Sequence, residues 1–264
     1  MSKTRRYNIR ISRAVIPNFF TILNMFSGFM SILSSTDRDF SSAAWLIVLA
    51  AIFDSLDGVM ARLTKSSSEF GVELDSLSDL VSFGVAPSYL IYMLGLKNLG
   101  PLGTLSSAML MVFGGLRLAR FNVQLVGFDK EYFKGLPIPS SAITISSYAL
   151  LFFDKTARAL NPDAAAFLPA LTIFLSLLMV STIRYDTMPK LSKRGIRAHP
   201  LKAAVFLVAI TIIVATLGKG LFWLFLLYII GGIIRWIIEH IKALLSSRKH
   251  DEDEDEVEFS SFDI

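Results

Sequence analysis

The sequence predicts an all-α, polytopic membrane protein of about eight transmembrane helices. Three observations carry that prediction. Of 264 residues 53% are hydrophobic, 21 of them Phe, and the mean hydropathy is +0.56. Apolar runs of about 20 residues, the length a helix needs to cross a bilayer, recur along the chain. Basic residues gather in alternate connections, the pattern that sets orientation in a membrane. The chain has no cysteine, which excludes disulfides, thiolate catalysis and thiolate metal sites.

Residues 1–13 carry five Lys or Arg among Tyr7, Ile9 and Ile11, and read as a basic interfacial arm on an anionic leaflet. The apolar stretch that follows is too long for a cleaved signal and lacks a small-residue cleavage site, so it reads as the first span. Hydropathy places the spans near 15–35, 41–61, 71–95, 101–121, 138–154, 165–184, 201–217 and 221–241. The fifth is short. Residues 14–185 form the expected catalytic transmembrane core and 186–200 a basic loop. Residues 201–241 hold two additional helices, and 242–264 an acidic tail, with the run Asp251–Glu256, expected to be disordered. Of the 26 basic residues, 21 fall in the N-terminal arm, the later even-numbered connections and the C-terminal segment, leaving Arg38, Lys97, Lys155, Arg158 and Lys219 opposite. By the positive-inside rule both termini are cytoplasmic, as is the link between the second and third spans.

Four carboxylates interrupt the second and third spans: Asp54, Asp57, Asp75 and Asp79. Asp54 and Asp57 are three apart and Asp75 and Asp79 four apart, so on helices each pair shares a face. The short link makes the two helices antiparallel neighbours, which lets all four converge. Charges at membrane depth are costly unless compensated, so the cluster marks a functional site. An all-oxygen donor set suits Mg²⁺ or Mn²⁺, with two ions expected, and such a site suits phosphoryl transfer. Gly58, Ala61 and Gly71 remove bulk beside the carboxylates, Arg62 offers a cation to a phosphate oxygen, and Ser68 a hydroxyl near the mouth. A cation transporter is the competing class, but it calls for carboxylates near mid-membrane on broken helices.

The string Asp54-x2-Asp57-Gly58-x2-Ala61-Arg62-x8-Gly71-x3-Asp75-x3-Asp79 resembles, position for position, the signature of the CDP-alcohol phosphatidyltransferases. The resemblance implies a six-helix core, often dimeric, in which an alcohol displaces CMP from a CDP-linked lipid or alcohol. It implies that Asp54, Asp57, Asp75 and Asp79 hold metal and that Asp79 is the catalytic base. It also implies that Gly58, Arg62 and Ser68 contact the CDP moiety, and Ala61 and Gly71 are grouped with them as expected CDP-diacylglycerol contacts.

Within that family the first 185 residues are most similar to membrane-embedded bacterial members that use L-serine. The stretches that carry this are Ile16–Thr21 with Asn24, Ser82–Pro87, Arg117–Asn122, Phe133–Ser140 and Ser181–Tyr185. The expected reaction transfers the phosphatidyl group of CDP-diacylglycerol to L-serine, giving phosphatidylserine and CMP, in phospholipid biosynthesis. Glycerol 3-phosphate, inositol phosphate or another alcohol is the alternative acceptor. Arg117, Arg120 and Asn122 are the expected serine contacts, since Arg binds a carboxylate bidentately. The further expectations are a homodimer in the inner membrane of a bacterium, an active site facing the cytoplasm, membrane lipid as partner and no nucleic acid.

Overall fold

The computed structural model describes residues 15–64, 68–126, 135–154, 156–157, 159–185, 216 and 218–260. Helix α1 (Val15–Thr36) inverts the pattern of a soluble helix. Its buried stripe is Pro17, Thr21, Asn24, Ser27, Gly28, Ser31 and Ser35, while Phe19, Ile22, Phe26, Phe29 and Leu33 face outward. Outward apolar groups suit lipid, and small inward residues let helix backbones approach closely. One such approach is made to α2 (Phe40–Thr64), where Ser31 Oγ donates to the Ala43 carbonyl at 2.9 Å. The buried face of α2 runs from Ala43 and Ala44 through Ile47 and Ala50 and ends at Asp57.

Helix α3 (Glu69–Leu94) begins at Ser68, whose hydroxyl caps it by accepting from the Gly71 N–H at 3.1 Å. Leu80–Val85 is a π turn, closed by an Ala86 N–H bond to the Val81 carbonyl. It ends two residues before Pro87, whose ring would meet the carbonyl four residues back in a regular helix. On the other side of the turn lies α1. Ser78 Oγ donates to the Thr21 carbonyl at 2.9 Å and Ser82 Oγ to the Asn24 carbonyl at 2.8 Å. Gly28 makes the approach possible, because a Cβ there would lie 2.5 Å from Ser82 Oγ and 2.7 Å from its Cα.

Helices α4 (Pro101–Val126), α5 (Ile138–Phe152) and α6 (Pro162–Val180) complete a bundle in which α4 packs on α6 and α2 on α5. A two-stranded hairpin, Phe153–Asp154 paired with Ala159–Leu160, joins α5 to α6 at the end away from the aspartates. At the opposite end, Gly135 N–H donates to the Ile183 carbonyl at 2.8 Å and Leu136 N–H to the Leu178 carbonyl at 2.9 Å. Gly135 has φ +94° and rests on the Met179 carbonyl, a place where no side chain fits. Helix α7 (Gly220–Ser260) docks Phe222 on Tyr148 and Phe152 of α5, with ring centroids 5.5 and 5.9 Å apart.

Among the described residues six helices are long and apolar enough to cross a membrane: α1, α2, α3, α4, α6 and the first part of α7, Gly220–Lys242. The fifth predicted segment is the shorter apolar helix α5. The seventh, 201–217, lies outside the described residues save Thr216, as do the arm at 1–13 and the basic loop at 186–200. Helix α7 extends through the acidic run to Ser260. Extending an existing helix needs no new nucleus, so a charged segment follows an apolar one at little cost.

Candidate active site

The carboxylates meet where α2 ends and α3 begins. Ligand oxygens of Asp54, Asp57 and Asp75 all lie within 4.8 Å of one another. Asp79, one turn beyond Asp75, lies beside Asp54, close enough for the two carboxyl groups to interact directly. All four aspartates singled out by spacing are therefore brought together.

Helix α1 orients them from the side. Thr21 Oγ1 donates to Asp57 Oδ2 at 2.9 Å, and Asn24 Nδ2 donates to Asp79 Oδ1 at 3.3 Å. Sequence reasoning quoted these two residues only as part of a resemblance and gave them no role. Their signal was available: a stripe of small polar residues every third or fourth position in an otherwise apolar helix.

The set fits a divalent cation. Its donors are all oxygens, and Asp75 Oδ1 is buried with no hydrogen-bond partner among the described residues. A buried carboxylate oxygen without a donor is costly, and a cation removes that cost.

Beside the carboxylates opens a cleft of about 130 Å³ lined by Asn18, Thr21, Asp57, Gly58, Ala61, Ser68, Gly71 and Asp75, among others. Four of the five expected CDP-diacylglycerol contacts, Gly58, Ala61, Ser68 and Gly71, thus share one cavity with two of the aspartates. Gly71 lies against Asn18, whose Oδ1 would be 3.2 Å from an added Cβ. The fifth, Arg62, is exposed on the last turn of α2, with Nη1 3.6 Å from where a Cβ on Gly58 would sit.

The expected serine contacts divide. Arg117 on α4 lies in electrostatic range of Asp79, and its Nε is buried without a hydrogen-bond partner among the described residues. Asn122 and Ser76, the neighbour of Asp75, exchange hydrogen bonds at 3.0 and 3.3 Å. Arg120 is half-buried and is not joined to the carboxylates by any hydrogen bond or ion pair among the described residues.

A six-helix bundle with four aspartates at one end and a small-residue cleft beside them defines a class of membrane enzyme. The family model for CDP-alcohol phosphatidyltransferases matches residues 14–180, and the chain belongs to that family. The chain is similar to the CDP-diacylglycerol–serine O-phosphatidyltransferase of Helicobacter pylori, at 37% identity over 89% of this chain and 96% of the relative. It is also similar to the protein of the same name from Methanocaldococcus jannaschii, at 38% identity over 84% and 94%. The archaetidylserine synthase of Methanothermobacter thermautotrophicus is 43% identical over 64% and 69%.

Proposed function

We propose that the protein transfers the phosphatidyl group of CDP-diacylglycerol to the hydroxyl of L-serine, forming phosphatidylserine and CMP. The observation that carries this reading is the convergence of the four aspartates beside a cleft open to small residues. The serine acceptor is supported by similarity over most of the chain to relatives named for serine, and over about two thirds of it to one named for an archaeal lipid. What those names share is the amino acid, not the lipid.

Asp54, Asp57, Asp75 and Asp79 would hold one or two Mg²⁺ or Mn²⁺ ions. Such ions supply charge neutralisation at the phosphates and at the leaving oxygen. Gly58, Ala61 and Gly71 leave room for the CDP moiety, Arg62 offers its guanidinium to a phosphate oxygen, and Thr21 and Asn24 keep the carboxylates oriented. Asp79 takes the proton of the acceptor hydroxyl. The hydroxyl oxygen forms a bond to the phosphorus that carries diacylglycerol. The bond from that phosphorus to CMP breaks, and CMP leaves with the electron pair.

The site faces the cytoplasm by the charge asymmetry of the loops. Eight crossings are supported by the hydropathy of the sequence, which adds 138–154 and 201–217 to the six long apolar helices. A bacterial inner membrane and a homodimer complete the proposal. The aspartates sit at helix ends, which disfavours a cation transporter.

The test is product analysis with CDP-diacylglycerol, Mn²⁺ or Mg²⁺ and labelled acceptors. The expected result is labelled phosphatidylserine with stoichiometric CMP, lost on chelation and restored by metal. Product from glycerol 3-phosphate or an inositol compound, with none from serine, refutes the assignment.

A further inference from the structure

Outside the lining of the small-residue cleft, two buried hydrogen-bond donors lack acceptors. Arg117 Nε has no partner among the described residues, and neither does the Tyr185 hydroxyl. Tyr185 is 6% exposed, so its hydroxyl is as enclosed as a core methyl. A buried polar atom without a partner costs about 1–3 kcal/mol, so two that share a neighbour, one of them in electrostatic range of Asp79, point to a missing ligand.

Tyr228 links the pair. It lies in electrostatic range of both Arg117 and Tyr185, and its ring centroid is 5.6 Å from that of Tyr185. Both contacts come from α7, which is outside the family core at 14–180. Gly232, one turn further along α7, seats the edge of the Tyr185 ring, and a Cβ there would overlap it. Burial and the neighbouring Tyr228 push the Tyr185 phenol up to about 12, so it stays a neutral donor at working pH.

We infer that α7 closes the acceptor side of the active site, and that Arg117 and the Tyr185 hydroxyl receive the carboxylate of an amino-acid acceptor. This rests on the serine reading above. A carboxylate brings the acceptors these donors lack, and a guanidinium with a phenol hydroxyl is a charge-assisted pair for it. The carboxylate held there leaves the acceptor hydroxyl on the side of Asp79. Tyr228 and Gly232 are positioning residues that act by holding Tyr185. The helices common to the family would then supply the metal and nucleotide sites and Arg117, and the added helix the positioning of Tyr185.

The full chain in mixed micelles, with CDP-diacylglycerol and L-serine varied separately, tests this. Tyr185→Phe keeps the ring packing and removes only the hydroxyl. The expected result is a rise of about ten- to hundredfold in KM for L-serine, the range of one charge-assisted hydrogen bond, with KM for CDP-diacylglycerol unmoved. Gly232→Ala keeps the hydroxyl but displaces the ring, and raises KM for L-serine in the same selective way. An unchanged KM for L-serine in both variants, or both KM values moving together, overturns the inference. If the wild-type chain forms no phosphatidylserine, the serine reading fails and the inference falls with it. A wild-type chain that does form it, with unselective variants, sinks the inference alone.

Discussion

Thr21→Val isolates one hydroxyl beside the proposed metal site. Thr21 and Asp57 are only 4% and 7% exposed, so water from the cleft is a poor replacement for the lost donor. Valine has nearly the same shape, so no cavity opens and α1 keeps its packing on α2. The hydroxyl has one proton, and its shorter contact is to Asp57 Oδ2 at 2.9 Å, against 3.2 Å to the Pro17 carbonyl. A hydrogen bond to a charged group contributes roughly 1.5–3 kcal/mol, and each 1.4 kcal/mol is about a factor of ten. Losing a donor that orients a metal ligand typically weakens binding about 10–100-fold, a range that agrees. The expected outcome is therefore a half-saturating Mn²⁺ concentration for CMP release raised by about one to two orders of magnitude. Turnover at saturating metal recovers most of its wild-type value. Calorimetric Mn²⁺ titration of the purified protein gives the same shift without turnover. An unchanged half-saturating concentration in both assays would show that Thr21 does not support a metal ligand.

Three further outcomes follow from the same geometry. Gly28→Val forces a side chain into Ser82, and overpacking of this kind costs about 1–3 kcal/mol; thermal unfolding in detergent should fall, and an unshifted midpoint would contradict the α1–α3 contact. Asp79→Asn keeps the shape and removes the base, so turnover should drop by about 10²–10⁴-fold, measured as CMP release at saturating metal; near-normal turnover excludes Asp79 as proton acceptor. In the hairpin, the Ala157 and Thr156 N–H groups hold the exposed Asp154 carboxyl below its ordinary value of 3.8. A lowered carboxyl stabilises fully above its unfolded value and loses its contribution as pH falls through the folded one. Exchange of the Thr156 and Ala157 amides should accelerate only below the ordinary carboxylate range, and Asp154→Ala should remove that dependence.

The aspartates were legible because helical spacing encodes a shared face. Three and four residues are one turn, and a short link leaves two helices no arrangement but side by side. The cleft was legible for a related reason: Gly58, Ala61 and Gly71 could each serve helix packing alone, but all three lie within four residues of an aspartate. The contributions of Thr21 and Asn24 were harder to read. A hydroxyl in a membrane helix also satisfies itself on a carbonyl four residues back, as Ser35, Thr144 and Ser176 do. Only the packing of α1 against α2 and α3 separates the two uses. The π turn left one trace, Pro87, and the helical course of 243–260 left none, because a run of like charges reads as solvated whatever its backbone does. Tyr185 and Gly232 lie 47 positions apart, and no local pattern joins them.

The π turn at Leu80–Val85 fixes the reading frame of α3. An α-helix advances about 100° per residue, so the extra residue in the wide turn sets the angle between the half bearing Asp75 and Asp79 and the half from Ala86 to Leu94. Deleting one residue there would restore regular spacing and swing the two carboxylates about 100° away from Asp54 and Asp57. Point substitutions in this segment alter packing, but a change in its length dismantles the constellation itself. The stretch between Asp79 and Pro87 is thus one where a chain of this kind tolerates changes of residue far better than insertions or deletions.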